Sequence, residues 1–236
     1  MIRLKDVTIG YKGTEPLLLN QSCEIPAGTL TALIGRNGSG KSTLLRALCG
    51  TQPLLGGEIL LGDLNPAKST AAELASRLSI VTTGRVDARH MTARQLVEMG
   101  RAPLTGLFGR MHAGDYEAVD KALERVGLSS LADREISGLS DGEHQRLMIA
   151  RALAQDTPII LLDEPTGFLD VPNRKAVTSL LKDLAHNQGK TILYSTHELD
   201  LALSASDLIL HISRPNLMLG TPDEVKQSQA YIADFR

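Results

Sequence analysis

The sequence predicts an α/β fold in which a parallel β-sheet presents a phosphate-binding loop. Two short aliphatic runs, residues 30–34 and 159–162, are typical of buried parallel strands. A glycine-rich segment, residues 35–42, follows the first run directly, and strand–helix–strand alternation returns over residues 159–195. Together these observations favour an α/β sheet with a ligand site at the carboxyl ends of its strands.

Length and composition limit what the chain can be. It has 236 residues, of which 42% are hydrophobic and 22% charged, as expected for one folded domain with a sizeable insertion. Its formal net charge of −2 shows no excess of basic residues, so binding to nucleic acid is not expected. The aliphatic runs are short and the amino terminus is charged, which argues against a membrane span or a signal peptide and for a cytoplasmic protein.

Hydrophobic spacing assigns strands and one helix to the amino-terminal region. Apolar residues at strand-like spacing alternate with turn residues, and the helix after the glycine-rich segment is stopped by Gly50. The predicted strands are residues 2–9, 17–25, 30–34, 58–61 and 78–82, and the predicted helix is residues 41–49.

Helical periodicity dominates from about residue 91 to residue 154, which predicts an α-helical insertion. Residues 92–95 have capping-box spacing, and apolar residues recur at helical intervals from Tyr116 to Val126. Strand character returns at residues 159–162, 191–195 and 208–212, with helices predicted over residues 174–185 and 199–204. We therefore interpret 1–236 as a single domain, with a core and β-subdomain at about 1–86 and 155–236 and a helical insertion at about 87–154.

The glycine-rich segment matches the G-x-x-x-x-G-K-[ST] pattern of a phosphate-binding loop. Its glycines let backbone N–H groups curl around phosphates at the amino terminus of a helix. Lys41 is expected to reach the β- and γ-phosphates of ATP, Ser42 to ligate Mg²⁺ and Thr43 to add a phosphate contact. A plain glycine turn is the alternative, and the strand before the segment and the helix after it argue against that. The loop consists of Gly35, Arg36, Asn37, Gly38, Ser39, Gly40, Lys41 and Ser42.

Two carboxylates, Asp163 and Glu164, follow the apolar run at residues 159–162. They stand at the carboxyl end of a predicted strand, where open α/β sheets bind ligands. Asp163 is predicted to hold Mg²⁺ through water, and Glu164 to orient or deprotonate the attacking water. Ion-paired surface carboxylates are the alternative for an isolated pair, and the phosphate-binding loop favours the catalytic interpretation.

A further motif, LSDGEHQR, opens a helix at residues 139–146. Ser140 and Glu143 have the spacing of an amino-terminal capping box, which is a sufficient account of these two residues. The segment also resembles the LSGGQ signature of ABC-type ATPases, and the sequence IARAL at residues 149–153 strengthens the likeness. The order of the motifs along practically the whole chain is similar to that of the ATP-binding subunits of ABC transporters.

This resemblance implies a fold and a mode of action. The fold is a P-loop NTPase core with a parallel sheet, an N-terminal antiparallel β-subdomain and an inserted α-helical subdomain. The cofactors are ATP and Mg²⁺, and the activity is ATP hydrolysis. Each ATP lies between the phosphate-binding loop of one copy and the signature of a second, so the functional unit is a symmetric homodimer in which Ser140, Gly142 and Glu143 serve the partner's nucleotide.

The resemblance also assigns roles to isolated residues. Tyr11 matches the aromatic residue that stacks on adenine, with simple packing as the alternative. Asp170 matches the D-loop residue that organises the facing subunit's site, with helix capping as the alternative. His197 matches the switch histidine that contacts the γ-phosphate, and a purely structural histidine is the alternative.

The chain departs from the family pattern in two places. Thr83 stands where the family has a glutamine that contacts Mg²⁺ and water, and a threonine hydroxyl reaches less far than a glutamine amide. In the signature, Asp141 replaces the middle glycine and Glu143 is the last residue. Because negative charge repels ATP, we expect both carboxylates to point away or to engage N–H groups of the helix terminus, leaving Ser140 and the Gly142 backbone for phosphate.

The partners implied by the resemblance are polytopic membrane permease subunits and, indirectly, a substrate-binding protein. The chain would then lie on the cytoplasmic side of the bacterial inner membrane as a peripheral subunit. Residues 100–106, which follow a predicted helix over residues 92–99, are similar to a loop in importers of iron-siderophores, haem and cobalamin, with an ordinary surface loop as the alternative. A second functional hypothesis is a non-transport ABC ATPase, acting as a mechanical clamp on nucleic acid, ribosomes or cofactor-assembly machinery. A third is a P-loop kinase or small-molecule enzyme, against which the signature and the paired Asp163 and Glu164 argue.

Overall fold

The structure is a computed structural model that describes residues 1–82, 84, 86, 88, 90–105, 109–167 and 169–235. The strands are β1 (Ile2–Ile9), β2 (Leu18–Ile25), β3 (Leu30–Gly35), β4 (Gly56–Leu61), β5 (Leu78–Val81), β6 (Ile159–Leu162), β7 (Thr191–Ser195), β8 (Leu208–Ser213) and β9 (Asn216–Gly220). The α-helices are α1 (Lys41–Leu48), α2 (Ala71–Arg77), α3 (Ala93–Glu98), α4 (Ala113–Arg125), α5 (Asp141–Ala154), α6 (Val171–Gln188), α7 (Leu199–Ala205), α8 (Pro222–Gln227) and α9 (Gln229–Phe235). Shorter 3-10 helices cover Met99–Leu104, Ser129–Leu131 and Ile136–Gly138.

The larger sheet has the strand order β5-β6-β7-β3-β8-β9 and is parallel except for the edge strand β9. Strands β3, β6 and β7 are buried along their whole length. In β3, Ala32 and Leu33 belong to different hydrophobic clusters, because successive side chains point to opposite faces of the sheet. This two-sided burial explains the continuous aliphatic runs in the sequence and confirms the predicted α/β fold with its parallel sheet.

The smaller sheet, in the order β2-β1-β4, is antiparallel, which confirms the predicted β-subdomain. The pairing of β1 with both neighbours shifts register after its first residues. Asp6 has a φ of 50° there, and a side chain on Gly57 opposite would place its Cβ 2.3 Å from the Asp6 carbonyl oxygen. The bulge accounts for the three-residue step between the apolar residues Leu4 and Val7, both of which face the core.

Helices α3, α4 and α5 form the predicted helical region. The Thr92 side chain caps α3 in a capping box with Gln95, as the spacing predicts. The predicted helix over residues 92–99 is too long and the loop at residues 100–106 is wrong in part, because Met99–Leu104 forms a 3-10 helix. This segment docks on the end of α5: Gly100 lies so close to it that an added Cβ would be 2.3 Å from the carbonyl oxygen of Arg151.

Several elements at the edges of the fold are not predicted in the sequence analysis, although the capping boxes Thr70–Glu73 and Thr221–Glu224 mark the starts of two of them. Helix α2, the antiparallel strand β9 and the terminal helices α8 and α9 are short, and each finds its place by packing on neighbouring elements. Within the described ranges, none of the helices combines the length and the hydropathy needed to cross a bilayer.

Candidate functional site

A cleft of about 440 Å³ opens at the carboxyl ends of β3, β6 and β7. It brings together the phosphate-binding loop, both predicted carboxylates, the predicted histidine and the predicted aromatic residue, although they are far apart in the sequence. The lining residues are Tyr11, Leu17, Asn37, Gly38, Ser39, Gly40, Lys41, Ser42, Thr43, Asp163, Glu164, His197 and Arg214. Gly35 and Arg36 begin the same loop, and Arg36 lines an adjacent cleft.

The phosphate-binding loop depends on glycine at two positions. A Cβ on Gly35 would lie 2.6 Å from Ser39 Oγ and 2.7 Å from the carbonyl oxygen of Ile212 on β8, so the loop leaves β3 through a gap that only glycine fits. Gly40, with a φ of 114°, turns the chain directly into α1. The amino terminus of α1 therefore opens into the cleft, where its unpaired N–H groups favour an anion.

Lys41 is held inside the loop. Its side chain is buried, and Nζ donates to the carbonyl oxygens of Gly35 (2.8 Å) and Arg36 (3.4 Å). Burial lowers the pKa of Lys41, whereas the nearby carboxylates of Glu164 and Asp163 act to raise it. The loop thus carries a fixed ammonium group at the floor of the cleft.

The two carboxylates at the end of β6 are oriented by the neighbouring strand β7. The hydroxyl of Ser195 donates to Asp163 Oδ1 (2.6 Å) and accepts from the backbone N–H of Glu164 (2.9 Å). Glu164 itself has a φ of 53°, a conformation that costs a non-glycine residue about 1 kcal/mol. Ser195 is a site residue that the sequence patterns do not single out. The sequence shows only that it ends a predicted strand two residues before His197, and its contact with Asp163 depends on the pairing of β7 with β6.

Glu164 and His197 form a close pair. His197 Nε2 lies 2.7 Å from Glu164 Oε1, so one carboxylate oxygen is held by a group that can carry a proton. Burial raises the pKa of Glu164, while His197 and then Lys41 oppose that rise. A carboxylate with a raised pKa is a stronger base than an exposed one, which is the property that activation of water requires.

Tyr11 lies at the rim of the cleft, in the connection between β1 and β2. Its side chain is 49% exposed, which is unusual for an aromatic residue whose role is packing. Leu17, from the same connection, also lines the cleft, and a Cβ added to Gly40 would lie 3.3 Å from its side chain. The rim therefore offers an exposed ring and an apolar side chain beside a phosphate-binding loop, an arrangement that suits a planar base.

The signature residues are placed elsewhere. Ser140 caps α5, its hydroxyl accepting from the N–H of Glu143 (3.3 Å) and donating to Glu143 Oε2 (2.8 Å). Glu143 also accepts from the N–H of Ser140 (2.8 Å), and these hydrogen bonds lower its pKa. The expectation that this carboxylate engages the helix terminus is confirmed, and Asp141 is exposed on the first turn. Among the described residues that line the cleft, none comes from the signature.

Two further predicted residues have distinct outcomes. Asp170 caps α6 by accepting from the N–H of Asn173 (3.0 Å), the capping geometry that is the alternative to a role in a facing subunit. Thr83 lies outside the described residues. Gly142 lies close to Leu169, with an added Cβ 3.2 Å from Leu169 Cδ2, so the signature contacts the residue before Asp170 within one chain.

Relatives in sequence and structure agree with this geometry. The ABC transporter family profile matches residues 18–167. The achromobactin transport ATP-binding protein of Dickeya dadantii (strain 3937) is 37% identical over 226 residues, which are 95% of this chain and 83% of that protein. The ferric enterobactin transport ATP-binding protein of Escherichia coli (strain K12) is 37% identical over 225 residues, again 95% of this chain and 83% of that protein.

Solved structures share the fold. A chain described as a metal-chelate type ABC transporter in an inward-facing conformation has a TM-score of 0.87 and 28% identity, covering 99% of this chain and 88% of that one. A dimeric bacterial ABC transporter cassette has a TM-score of 0.81 and 30% identity, covering 94% of this chain and 99% of that one.

Proposed function

Because the chain belongs to the ABC transporter family as an ATP-binding ATPase, we propose that it powers import of a metal chelate, an iron-siderophore, haem or cobalamin, through ATP-driven dimerisation. The observation that carries the proposal is the cleft in which the phosphate-binding loop meets Asp163, Glu164 and His197. We propose that residues 1–236 act as one unit, with a nucleotide-binding core and β-subdomain at about 1–86 and 155–236 and a helical insertion at about 87–154.

Within the cleft, ATP is bound both at its adenine base and at its phosphates. Tyr11 stacks on adenine, and the loop N–H groups, Lys41 and Thr43 bind the phosphates. The Ser42 hydroxyl and the Asp163 carboxylate line the same cleft and are hard oxygen donors of the kind that Mg²⁺ takes together with phosphates, so the residues present fit this ion. Bound there, Mg²⁺ would supply positive charge to the phosphates, with Thr83 proposed as a further ligand.

Hydrolysis depends on Glu164. Its half-buried carboxylate accepts a proton from the attacking water, and burial raises its pKa, which makes it a stronger base than an exposed carboxylate. His197 holds one carboxylate oxygen at 2.7 Å and is proposed to contact the γ-phosphate, so it connects the base to the group under attack. Lys41 stabilises the charge that develops on the phosphate oxygens.

A second copy completes the site. Ser140, Gly142 and Glu143 at the start of α5 are proposed to serve the partner's nucleotide, with Ser140 and the Gly142 backbone facing the γ-phosphate while the Glu143 carboxylate stays on the helix terminus. Asp170 is proposed to help organise the facing copy's site. Ser140 and Asp170 are both exposed, as such contacts require. Because ATP bridges the copies, loss of the γ-phosphate on hydrolysis would let them separate and move the attached membrane subunits.

The proposed partners are polytopic permease subunits, which place the chain at the cytoplasmic side of the bacterial inner membrane, and indirectly a substrate-binding protein. Two observations support a metal chelate as cargo. Relatives at 37% identity are named for achromobactin and ferric enterobactin transport. Residues 100–106 are similar to the corresponding segment of that importer group. No nucleic-acid partner is expected at a net charge of −2.

The test is reconstitution with candidate permeases. The chain is co-expressed with a polytopic permease, and ATP hydrolysis in proteoliposomes is measured with binding proteins loaded with iron-siderophore, haem or cobalamin. We expect co-purification and stimulation by one loaded binding protein over its unloaded form, with the Lys41→Ala variant as the inactive control. Hydrolysis that no permease or loaded binding protein changes would contradict an importer role and favour a non-transport ATPase.

A further inference from the structure

The turn between β8 and β9 reaches over the phosphate-binding loop. Strand β8 pairs with β3 in parallel, with Ile212 opposite Gly35, so the residues after Ile212 lie beside the start of the loop. Arg214, in the turn, donates from Nε to the carbonyl oxygen of Ser39 (3.1 Å) and from Nη2 to the carbonyl oxygen of Gly38. Its guanidinium therefore bridges two successive peptide groups of the loop.

The same turn is anchored on its other side to the antiparallel sheet. The backbone N–H of Leu19 donates to the carbonyl oxygen of Pro215 (3.0 Å), and the N–H of Leu217 donates to Gln21 Oε1 (2.8 Å). Both Leu19 and Gln21 belong to β2, which follows the connection that carries Tyr11. The turn that carries Arg214 is therefore held by β2 on one side, and Arg214 itself contacts the phosphate-binding loop on the other.

Two cations hold different parts of the loop. Lys41 donates to the carbonyl oxygens of Gly35 and Arg36, whereas Arg214 donates to those of Gly38 and Ser39. Arg214 lines both the nucleotide cleft and a second cleft of about 370 Å³. It is not part of the G-x-x-x-x-G-K-[ST] pattern, and nothing in that pattern requires an arginine at this place.

Fixing these carbonyls fixes N–H groups as well. In a trans peptide the carbonyl of one residue and the N–H of the next point in opposite directions. A hydrogen bond to the Ser39 carbonyl therefore directs the Gly40 N–H away from the guanidinium. The bond to Gly38 likewise sets the Ser39 N–H, which donates to the carbonyl oxygen of Arg36 (3.0 Å). The direction of loop N–H groups is what determines how well the loop binds phosphate.

We propose that Arg214 is a positioning residue for ATP, which presets the backbone of the phosphate-binding loop through Gly38 and Ser39. The inference rests on the ATP site proposed above and deepens it. Because the loop is ordered before the nucleotide arrives, the contribution is to phosphate affinity and not to the chemical step. The effect depends on the β- and γ-phosphates that the loop is proposed to bind, so it distinguishes ADP and ATP from AMP, which has neither.

The test compares nucleotide affinities of the full-length Arg214→Ala and Arg214→Lys variants. We expect Arg214→Ala to weaken ADP and ATP binding about tenfold, since partly exposed charge-assisted hydrogen bonds are lost, and to raise the KM for ATP by the same factor. AMP affinity and kcat at saturating ATP stay at the wild-type level. Arg214→Lys, which keeps a positive donor, recovers most of the lost affinity. The matched control is Arg125→Ala, which removes an exposed arginine from the last turn of α4.

Three results would overturn the inference. These are wild-type ADP affinity in Arg214→Ala, a parallel loss of AMP and ADP affinity with a lowered Tm, or a fall in kcat at unchanged KM. Wild-type ADP affinity would mean that the Arg214 contact contributes nothing to binding. A parallel loss with a lowered Tm would mean that it only stabilises the fold, and a fall in kcat would mean that the guanidinium acts in the chemical step. A wild-type protein that binds no ATP contradicts the proposed function itself, which keeps the two failures distinct.

Discussion

The two halves of the proposed ATP site are built in different ways. The half with Lys41, Glu164 and His197 is assembled within one chain, from elements that follow β3, β6 and β7. The half at the start of α5 uses its polar groups on itself, because the hydroxyl of Ser140 and the carboxylate of Glu143 bond to each other and to the helix terminus. The first half can bind nucleotide as it stands, whereas the polar groups of the second half already have hydrogen-bond partners at their own helix terminus.

The free-energy cost of dimerisation therefore lies mainly in the half at the start of α5. A Ser140 hydroxyl that donates to a phosphate of the facing copy must give up Glu143 as its acceptor, although it can still cap α5 through its lone pairs. The half with Lys41, Glu164 and His197, called the nucleotide half, needs no such change of hydrogen-bond partner at Glu164, because its partner His197 already lies in the cleft. Substitutions confined to one half therefore separate its contribution from that of the other.

The largest effect is expected for Glu164→Gln. Turnover of ATP should fall by about three orders of magnitude, since the general base is lost while the shape of the side chain is kept. With hydrolysis blocked, saturating ATP and Mg²⁺ should hold a stable dimer, measured by size-exclusion chromatography with light scattering. Glu124→Gln, on the exposed face of α4, is the control. A strictly monomeric Glu164→Gln variant would refute the two-copy site.

The pH dependence of kcat/KM for ATP tests the nucleotide half. Glu164 must be ionised to act as a base, and burial raises its pKa above the usual 4.5, so activity is lost as pH falls through that raised value. Lys41 must be protonated to bind phosphate, and burial lowers its pKa below the usual 10.5, so activity is lost as pH rises through that lowered value. Each limb should change by about tenfold per pH unit.

The position of the acidic limb gives a sharper test. His197 acts to lower the pKa of Glu164, so His197→Gln should move the acidic limb to higher pH, whatever its effect on the maximal rate. An acidic limb that stays in place would mean that the 2.7 Å contact does not govern the base.

In the half at the start of α5, substitutions of Ser140 distinguish its role as a helix cap from a role in ATP hydrolysis. Ser140→Ala removes the cap and should lower the free energy of unfolding by about 1 kcal/mol, whereas Ser140→Asn keeps a capping group. Both variants lack the hydroxyl, so both should lose ATP turnover by about tenfold if it contacts the partner's phosphate. Thermal unfolding and steady-state hydrolysis are the measurements. Full activity in Ser140→Asn would show that the segment only caps α5.

The smallest effect is expected for Asp141→Gly, which restores the family's middle glycine. An exposed unit charge contributes about 1 kcal/mol in water, so ATP affinity and turnover should change by less than about fivefold. A gain of orders of magnitude, measured by the same hydrolysis assay, would mean that this carboxylate faces the nucleotide after all.

The sequence predicts the nucleotide half well because its parts are local. A few consecutive residues are enough to recognise a glycine loop between a strand and a helix, or a pair of carboxylates after a buried strand. Their convergence follows from the rule that parallel strands present their carboxyl ends at one edge. The capping of α5 by Ser140 and of α6 by Asp170 is equally local, which is why the capping alternative describes their geometry within one chain.

What the sequence does not reveal depends on register between distant strands. Arg214 reaches the loop only because β8 pairs with β3, and Ser195 orients Asp163 only because β7 lies beside β6. The segment Met99–Leu104 is a 3-10 helix although it contains glycine and proline, because it packs on the end of α5. Tertiary contact decides all three, and no single-residue preference encodes it.

Helix α5 connects the signature to the segment Met99–Leu104. Its first turn carries the signature, and its last turn is fastened to Met99–Leu104 by the Gly100 contact and by Arg101, which donates to the carbonyl oxygen of Ala154 (2.7 Å). Its 14 residues make a rod of about 21 Å, so a tilt of about ten degrees at one end displaces the other by roughly 4 Å. A rotation of α5 that began at Ser140 would therefore be largest at the far end, where Met99 and Leu104 are half exposed.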